Sequence, residues 1–374
     1  MTIAVSTGSI TGSRPEAYRD LIVECFTRLA EKYPQHKFLF ISDKRHDKDL
    51  ISAENIAMVV TGPKTKNALL LQYWFNYKMP AVLRKHKADV FVCMDGTCSL
   101  RTKLPQCLFL QDLSFLQQPE FFKGHLRFYK KYTSKFLTKA GSIATLSEFS
   151  KKLVTNKYKI PADKIDIVHG AVHEIFKPIS FEEKEKIKES HTEGKEYFLF
   201  TGNIDLRSNL INLLKAFSFF KKRQKSNMML LIAGKEDESY EQFSNDLKTF
   251  KFRNEVKLLG YPPKEELAKI TAAAYAFVYP TLYEDFATGP LQAMQCGVPV
   301  VTGNKGALTE LCGDAALYCD PGDFKDIADK MMLVFKDENK ARELVSLGRI
   351  QAQRYNWDKT AGLVWQTILK AVNN

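Results

Sequence analysis

Residues 279–301 read YPTLYEDFATGPLQAMQCGVPVV, and the order of events in that stretch decides the architecture. It opens at the end of the apolar run Ala276–Tyr279, which has the length and composition of a buried parallel strand. Pro280 stops the strand, a polar loop carries Glu284 and Asp285, and a short helix is expected over 290–296. Pro290 suits its first turn, where a missing N–H costs little. Gly297 ends that helix, and 298–301 restarts a strand. This order puts the two carboxylates just past a strand's carboxyl end, where open α/β sheets bind ligands. The free N–H groups and partial positive charge of a helix N-terminus suit an anion such as a diphosphate. The residues alone leave a second reading open, one more βαβ unit with a solvated acidic loop.

The same alternation runs outward in both directions. Strands are expected at 2–6, 38–41, 56–60, 89–94, 107–110, 142–146 and 164–168, with helices at 14–31, 68–83, 121–140 and from Ser147 onward. Past a charged stretch at 178–195, which reads as a linker or an exposed helix, the pattern resumes. Strands fall at 197–201, 228–233 and 256–259, helices at 210–220 and 265–274, and three helices at 324–337, 339–353 and 357–372 close the chain. Strands alternating with helices imply an α/β protein with parallel sheets covered on both faces. At about 150 residues per domain, 374 residues make two domains. The boundaries expected are 1–178, 179–356 and a last helix at 357–374, in which Trp357 reads as a packing anchor.

Hydrophobic content of 45% and charged content of 26% fit a water-soluble globular chain. No apolar run approaches the ~20 residues of a membrane span, and the first residues lack the pattern of a secretory signal. The expected location is cytoplasmic. Seven cysteines contain no C-x-x-C pair and read as buried thiols, and the seven histidines show no metal spacing, so no metal site is expected. The net charge of +12 lies entirely in the first half, where 28 Lys and Arg face 16 Asp and Glu over residues 1–180. That asymmetry suggests an anionic surface or acceptor for this half. No nucleic-acid motif or aromatic platform accompanies it, so no nucleic-acid partner is expected.

The densest basic stretch is 121–140, FFKGHLRFYKKYTSKFLTKA. Phe122, Leu126, Tyr129, Thr133, Phe136 and Ala140 share one helical face, and lysines and Arg127 crowd the remainder. Such a helix can lie peripherally on an anionic membrane, here the inner membrane face, or be a surface helix with a solvated side.

The 279–301 segment resembles the signature of retaining GT-B glycosyltransferases, family 4 (glycosyl transferases group 1). Glu284, Phe286, Leu291, Ala293, Met294, Cys296, Gly297, Pro299, Val300 and Val301 match, while Asp285, Ala287, Thr288, Gly289 and Gln292 depart from it. The resemblance implies two Rossmann-like domains, doubly wound, facing across a cleft. It implies transfer of a hexose-type sugar from a nucleotide-diphosphate donor, of UDP or GDP type, to a glycan or lipid-linked acceptor hydroxyl. No cofactor is implied.

Carried over residue by residue, Glu284 would hold the donor sugar's hydroxyls, with Asp285, Phe286, Ala287 and Thr288 around it and Gln292 under the ribose. Arg207 and Asn209 match the basic loop that neutralises the diphosphate; Ser208 replaces the usual Lys, Asn203 opens the loop, and Lys235 stands at the next strand end as a substitute cation. In the first half, LFLQDLSFLQQPEFF resembles the family's His-Asp-Leu-Ser-Phe segment with Gln111 in the His position and Asp112 following. Gln111 can hydrogen-bond a sugar but cannot carry a proton, and Asp112 is equally a turn or capping carboxylate. Gly12 and Ser13 in the first loop, Ser147 in TLSEFS and His169 at the domain crossover complete the acceptor-side candidates; plain turn, helix cap and packed histidine are their alternatives. The joint change at Gln111, Ser208 and Gln292 leaves a second function open, a protein that binds nucleotide or glycan without turnover.

Overall fold

The computed structural model describes residues 1–8, 16–44, 53–122, 125–235 and 240–374. The chain divides into two compact units, Met1–Ala171 with Asn356–Asn374, and Val172–Tyr355.

In the first unit, short apolar strands stack into one parallel sheet: β1 (Thr2–Ser6), β2 (Lys37–Ser42), β3 (Ile56–Val60), β4 (Val90–Cys93), β5 (Gln106–Leu110), β6 (Ser142–Thr145) and β7 (Ile165–Ile167). Their order is β3-β2-β1-β4-β5-β6-β7, with every pairing parallel. The second unit repeats the design with β8 (Tyr197–Thr201), β9 (Met229–Ala233), β10 (Val256–Leu258), β11 (Ala276–Tyr279), β12 (Val300–Gly303) and β13 (Ala316–Cys319), ordered β10-β9-β8-β11-β12-β13 and again parallel. Inner strands such as VFVC, YFLFT and AFVY are buried along their whole length, as strands covered on both faces must be. Each sheet reverses its winding once, between β1 and β4 and between β8 and β11. Those are the switch points where doubly wound sheets bind ligands.

The last helix, Trp357–Asn373, belongs to the first unit. Trp365 stacks on Tyr33 with ring centroids 4.2 Å apart, Ser142 Oγ donates to the Thr367 carbonyl at 2.7 Å, and Lys370 Nζ pairs with Asp166 at 2.6 Å. Trp357 is buried. Val172 and Phe176 pack in the core of the second unit.

Several elements differ from expectation for identifiable reasons. The single helix expected at 68–83 is three segments, Ala68–Tyr73, a π-turn Trp74–Lys78 and Met79–Lys85. Pro80 lacks an N–H for the Asn76 carbonyl and its ring would strike it, and the widened turn absorbs that conflict. The basic helix begins at Leu126, after a separate turn at Pro119–Phe121. The 178–195 stretch is an exposed helix, Phe181–Thr192, opened by a reciprocal cap between Ser180 and Glu183. All seven cysteines are free and buried, and burial pushes a thiol such as Cys296 up to about 12. Among the described residues no helix is long and apolar enough to cross a membrane.

Candidate active site

The best-built corner lies in the second unit, in the loops that follow β8 and β11. Gly202 leaves β8 at φ +149°, a region open to glycine, and its N–H donates to the Ala233 carbonyl at 3.1 Å. Ile204 N donates to the Lys235 carbonyl at 3.1 Å, and a Cβ on Gly234 would collide with the Gly202 carbonyl. These contacts pin the 202–209 loop to the end of β9, where the exposed Lys235 side chain stands.

Inside that loop Asp205 caps a turn at Leu206–Ser208, its Oδ1 accepting from Ser208 N at 3.0 Å. Ser208 is buried, and its hydroxyl lies within hydrogen-bond reach of Asp205 Oδ1 and the Asn203 carbonyl. Ser208 therefore closes the loop from within. Asn209 adopts φ +58° and donates its amide to the carbonyls of Pro280 at 2.9 Å and Pro321 at 2.7 Å. The Arg207 carbonyl accepts from Leu282 N at 2.9 Å, so the two loops are joined and the partly exposed guanidinium sits beside the acidic segment.

Glu284 is the focus of that segment. It is 8% exposed, and its Oε1 accepts from Tyr279 Oη at 3.0 Å. Tyr279 is stacked against Phe200 at 5.4 Å and Phe277 at 5.8 Å, which fixes the phenol. From behind, Ala307 N donates to the Glu284 carbonyl at 2.9 Å, and Gly306, at φ +65°, leaves no room for a side chain against the same peptide. Burial pushes the Glu284 carboxyl up to about 7; the Arg207 charge and the Tyr279 hydrogen bond pull it down, and Asp205 and Asp285 push it further up. The site thus holds a carboxylate poised near neutral pH.

The helix that follows is Thr288–Gln295, two residues ahead of the expected start, because extended Ala287 releases the chain directly into the first turn. No side chain caps it. Pro290 falls in the first turn, where its lack of an N–H leaves no broken bond. Gly289 sits where a Cβ would press to 3.0 Å on the Phe277 ring and 3.2 Å on Thr201 Oγ1, which seats the helix start against the end of β8 and a ring of β11. Residues 181–351, which contain this whole corner, match the family described as Glycosyl transferases group 1.

The chain is 29% identical over 249 residues, 66% of its length, to O-antigen chain mannosyltransferase B of Escherichia coli. It is 26% identical over 258 residues to the serotype-specific mannosyltransferase WbdA of the same organism. The matches span 65% and 32% of those proteins, under two thirds of either. Among solved structures, the Anabaena protein HepE, in complex with UDP and glucose, is similar across 99% of both chains with a TM-score of 0.78 and 15% identity. The fold is the GT-B fold of glycosyltransferases.

Around this corner, the remaining candidates take distinct places. Asp285 is buried and accepts from Tyr283 Oη at 3.0 Å, and Phe286 packs edge-on against Tyr355 at 6.1 Å. Ala287 is buried, Thr288 is half-buried at the helix start, and Gln292 is half-buried one turn on.

In the first unit, Gln111 is buried at the end of β5; its amide donates to the Met94 carbonyl at 2.8 Å, and its Oε1 has no hydrogen-bond partner among the described residues. Asp112 Oδ1 accepts from Ser114 N at 2.9 Å and Ser114 Oγ at 2.6 Å, a turn carboxylate. Ser147 caps the helix Glu148–Tyr158 by accepting from Ser150 N at 3.2 Å, and His169 Nδ1 meets the Leu146 carbonyl at 3.0 Å. Gly12 and Ser13 lie outside the described residues.

Residues that the motif comparison passed over prove central. Tyr279, Asp205, Gly234 and Gly306 shape the second-unit corner, and in the first unit Asp95 follows β4 with Gly8 against it, 3.4 Å from a Cβ position to Asp95 Oδ2. Asp95 lies two residues past the end of β4, which pairs with β1 across the switch point, and its place directly after VFVCM carried that signal. Among the described residues no cluster of three His, Cys, Asp or Glu side chains could hold a metal.

Proposed function

We propose that this protein transfers a hexose, mannose first among the candidates, from a nucleoside-diphosphate sugar to a hydroxyl of a growing glycan, with retention at the anomeric carbon. One observation carries the reading: a buried carboxylate, Glu284, held by a stacked tyrosine and flanked by Arg207, stands at the second unit's switch point inside the matched family segment. The relatives' names, both mannosyltransferases of O-antigen type, supply the choice of sugar.

In this reaction the bond from the anomeric carbon to the diphosphate oxygen breaks, and the acceptor oxygen bonds the same face of that carbon. The acceptor's proton passes to the departing phosphate. Ionised Glu284 accepts hydrogen bonds from the donor sugar's hydroxyls and fixes the ring. Arg207, Lys235 and the uncapped N–H groups of Thr288–Gln295 take up the charge that develops on the diphosphate. Since these groups supply the positive charge, chelation with EDTA leaves the transfer rate unchanged. Gln292 offers the ribose a neutral hydrogen bond where the family pattern has a carboxylate, which weakens donor affinity without removing it.

The test is a melting-temperature titration with a panel of nucleoside diphosphates and their hexose conjugates, followed by transfer assays with the strongest binder. Stabilisation by one diphosphate, with sugar transfer and an unchanged anomeric configuration in the product, is the expected result. Binding without transfer to any acceptor hydroxyl would instead mark a nucleotide-binding protein that lacks turnover.

A further inference from the structure

The first unit carries an exposed apolar ridge inside its basic region. Among the large hydrophobic side chains, Val60, Leu69, Tyr73 and Tyr77 are 49%, 78%, 42% and 49% exposed, an unusual density for one short stretch of chain. Leu69, Tyr73 and Tyr77 recur every four residues across the helix Ala68–Tyr73 and the π-turn Trp74–Lys78, so they share a face. Tyr73 and Tyr77 stack at 5.5 Å, and the Arg101 guanidinium lies 4.1 Å from the Tyr77 ring. The Trp74 indole donates to the Thr61 carbonyl at 2.8 Å, which anchors the ridge to the end of edge strand β3.

The helix Leu126–Lys139 lies alongside, joined to the ridge by Gln72 Nε2 donating to Tyr132 Oη at 3.0 Å. Its own aromatic face is spent: Phe128, Tyr129, Thr133, Phe136 and Leu137 are buried in the unit's core. This corrects the expectation that helix 121–140 could offer its apolar side to a membrane. Its cations remain outside. Arg127, Lys130, Lys131, Lys135 and Lys139 are all exposed, and none forms an ion pair among the described residues. Residues 55–88 add six Lys and Arg, and neither that stretch nor 125–147 contains an Asp or Glu.

We propose that this face docks the protein on an anionic lipid bilayer, with Leu69, Tyr73 and Tyr77 entering the headgroup boundary and the basic helix meeting the surface charge. Tyrosine and leucine at one level, with lysines spread beside them, match the layered polarity of a membrane interface. A purely polyanionic partner such as RNA would use the cations but leave Leu69 unmatched. Each basic side chain near an anionic leaflet adds favourable free energy that salt screens. The inference goes beyond sugar transfer and is measured without any donor.

The experiment is flotation of the full chain with phosphatidylcholine vesicles, with and without phosphatidylglycerol. Binding is expected only to the vesicles that contain phosphatidylglycerol and should fall as salt rises. Leu69→Asp with Tyr73→Asp should weaken it about tenfold or more at every salt concentration, and Lys130→Glu with Lys131→Glu should do so chiefly at low salt. Both pairs are exposed, so their melting temperatures should stay at the wild-type value. The proposal is overturned if phosphatidylglycerol confers no binding, if both variants bind like the wild type, or if an RNA oligomer displaces the vesicles and only the lysine variant matters.

Discussion

The two units share one sheet plan but furnish the carboxyl ends of their strands in opposite ways. In the second unit, the polar groups past β8 and β11 are drawn together against their own preference: Glu284 is buried, raised to about 7, and wedged between Tyr279 and a glycine that admits no side chain. In the first unit, Asp112 and Ser147 satisfy their own turns and helix, a role that stabilises the fold without demanding a ligand. Energetic tension marks the first kind of residue, local satisfaction the second.

That contrast can be broken at the backbone. Gly234→Ala should drive a methyl group into the Gly202 carbonyl and cost on the order of 3 kcal/mol, read as a lowered midpoint in urea unfolding. A midpoint equal to wild type would mean that the 202–209 loop is not held as described. Next in size is Arg207→Ala, which should weaken binding of the nucleoside diphosphate roughly 30-fold, since it removes a charged hydrogen-bond donor. Titration calorimetry measures that loss, and unchanged affinity would move the diphosphate elsewhere.

A smaller effect sharpens the role of Tyr279. The wild-type kcat/KM should rise with pH and level off above about 7, as Glu284 ionises in the free enzyme. The Tyr279 hydrogen bond favours the charged carboxylate, so Tyr279→Phe should shift that profile to higher pH and lower the rate at pH 7 a few-fold. A profile that keeps its midpoint would reduce Tyr279 to packing. The same ionisation acts on stability. Because the folded carboxyl lies above its ordinary 4.5, its contribution is fully present below pH 4.5 and is lost as pH rises through 7. Smallest is Ser147→Ala, expected to cost about 1 kcal/mol of stability through the lost cap and to leave diphosphate affinity unchanged. A selective loss of turnover would give Ser147 a place in the site.

Much of this was legible in the chain itself. Periodicity and glycine punctuation located the strands of both sheets to within one or two residues, because strands buried on both faces are written as short apolar runs; the exception is the edge strand Ala316–Cys319, which is only partly buried and was not expected. The signature at 284–301 pointed to the family whose model matches residues 181–351, because many residues at fixed spacing must agree. Residue roles were harder to read. Ser208 stands where a family cation stands, yet it is consumed inside its loop by Asp205, a neighbour that no motif singles out. The basic helix displayed a convincing amphipathic pattern, but periodicity does not say whether an apolar face meets a core or a membrane. Here it meets the core, and the exposed apolar side chains fell on a neighbouring segment bent by Pro80.

The central claim is that Glu284 carries sugar transfer, and Glu284→Gln tests it most directly. The change keeps the side chain's shape, removes the charge and spares the fold a buried carboxylate. At saturating donor and pH 8, transfer should fall by roughly 100-fold or more, with a melting temperature equal to or above that of the wild type. Transfer within a few-fold of the wild-type rate by a folded Glu284→Gln protein would contradict the account.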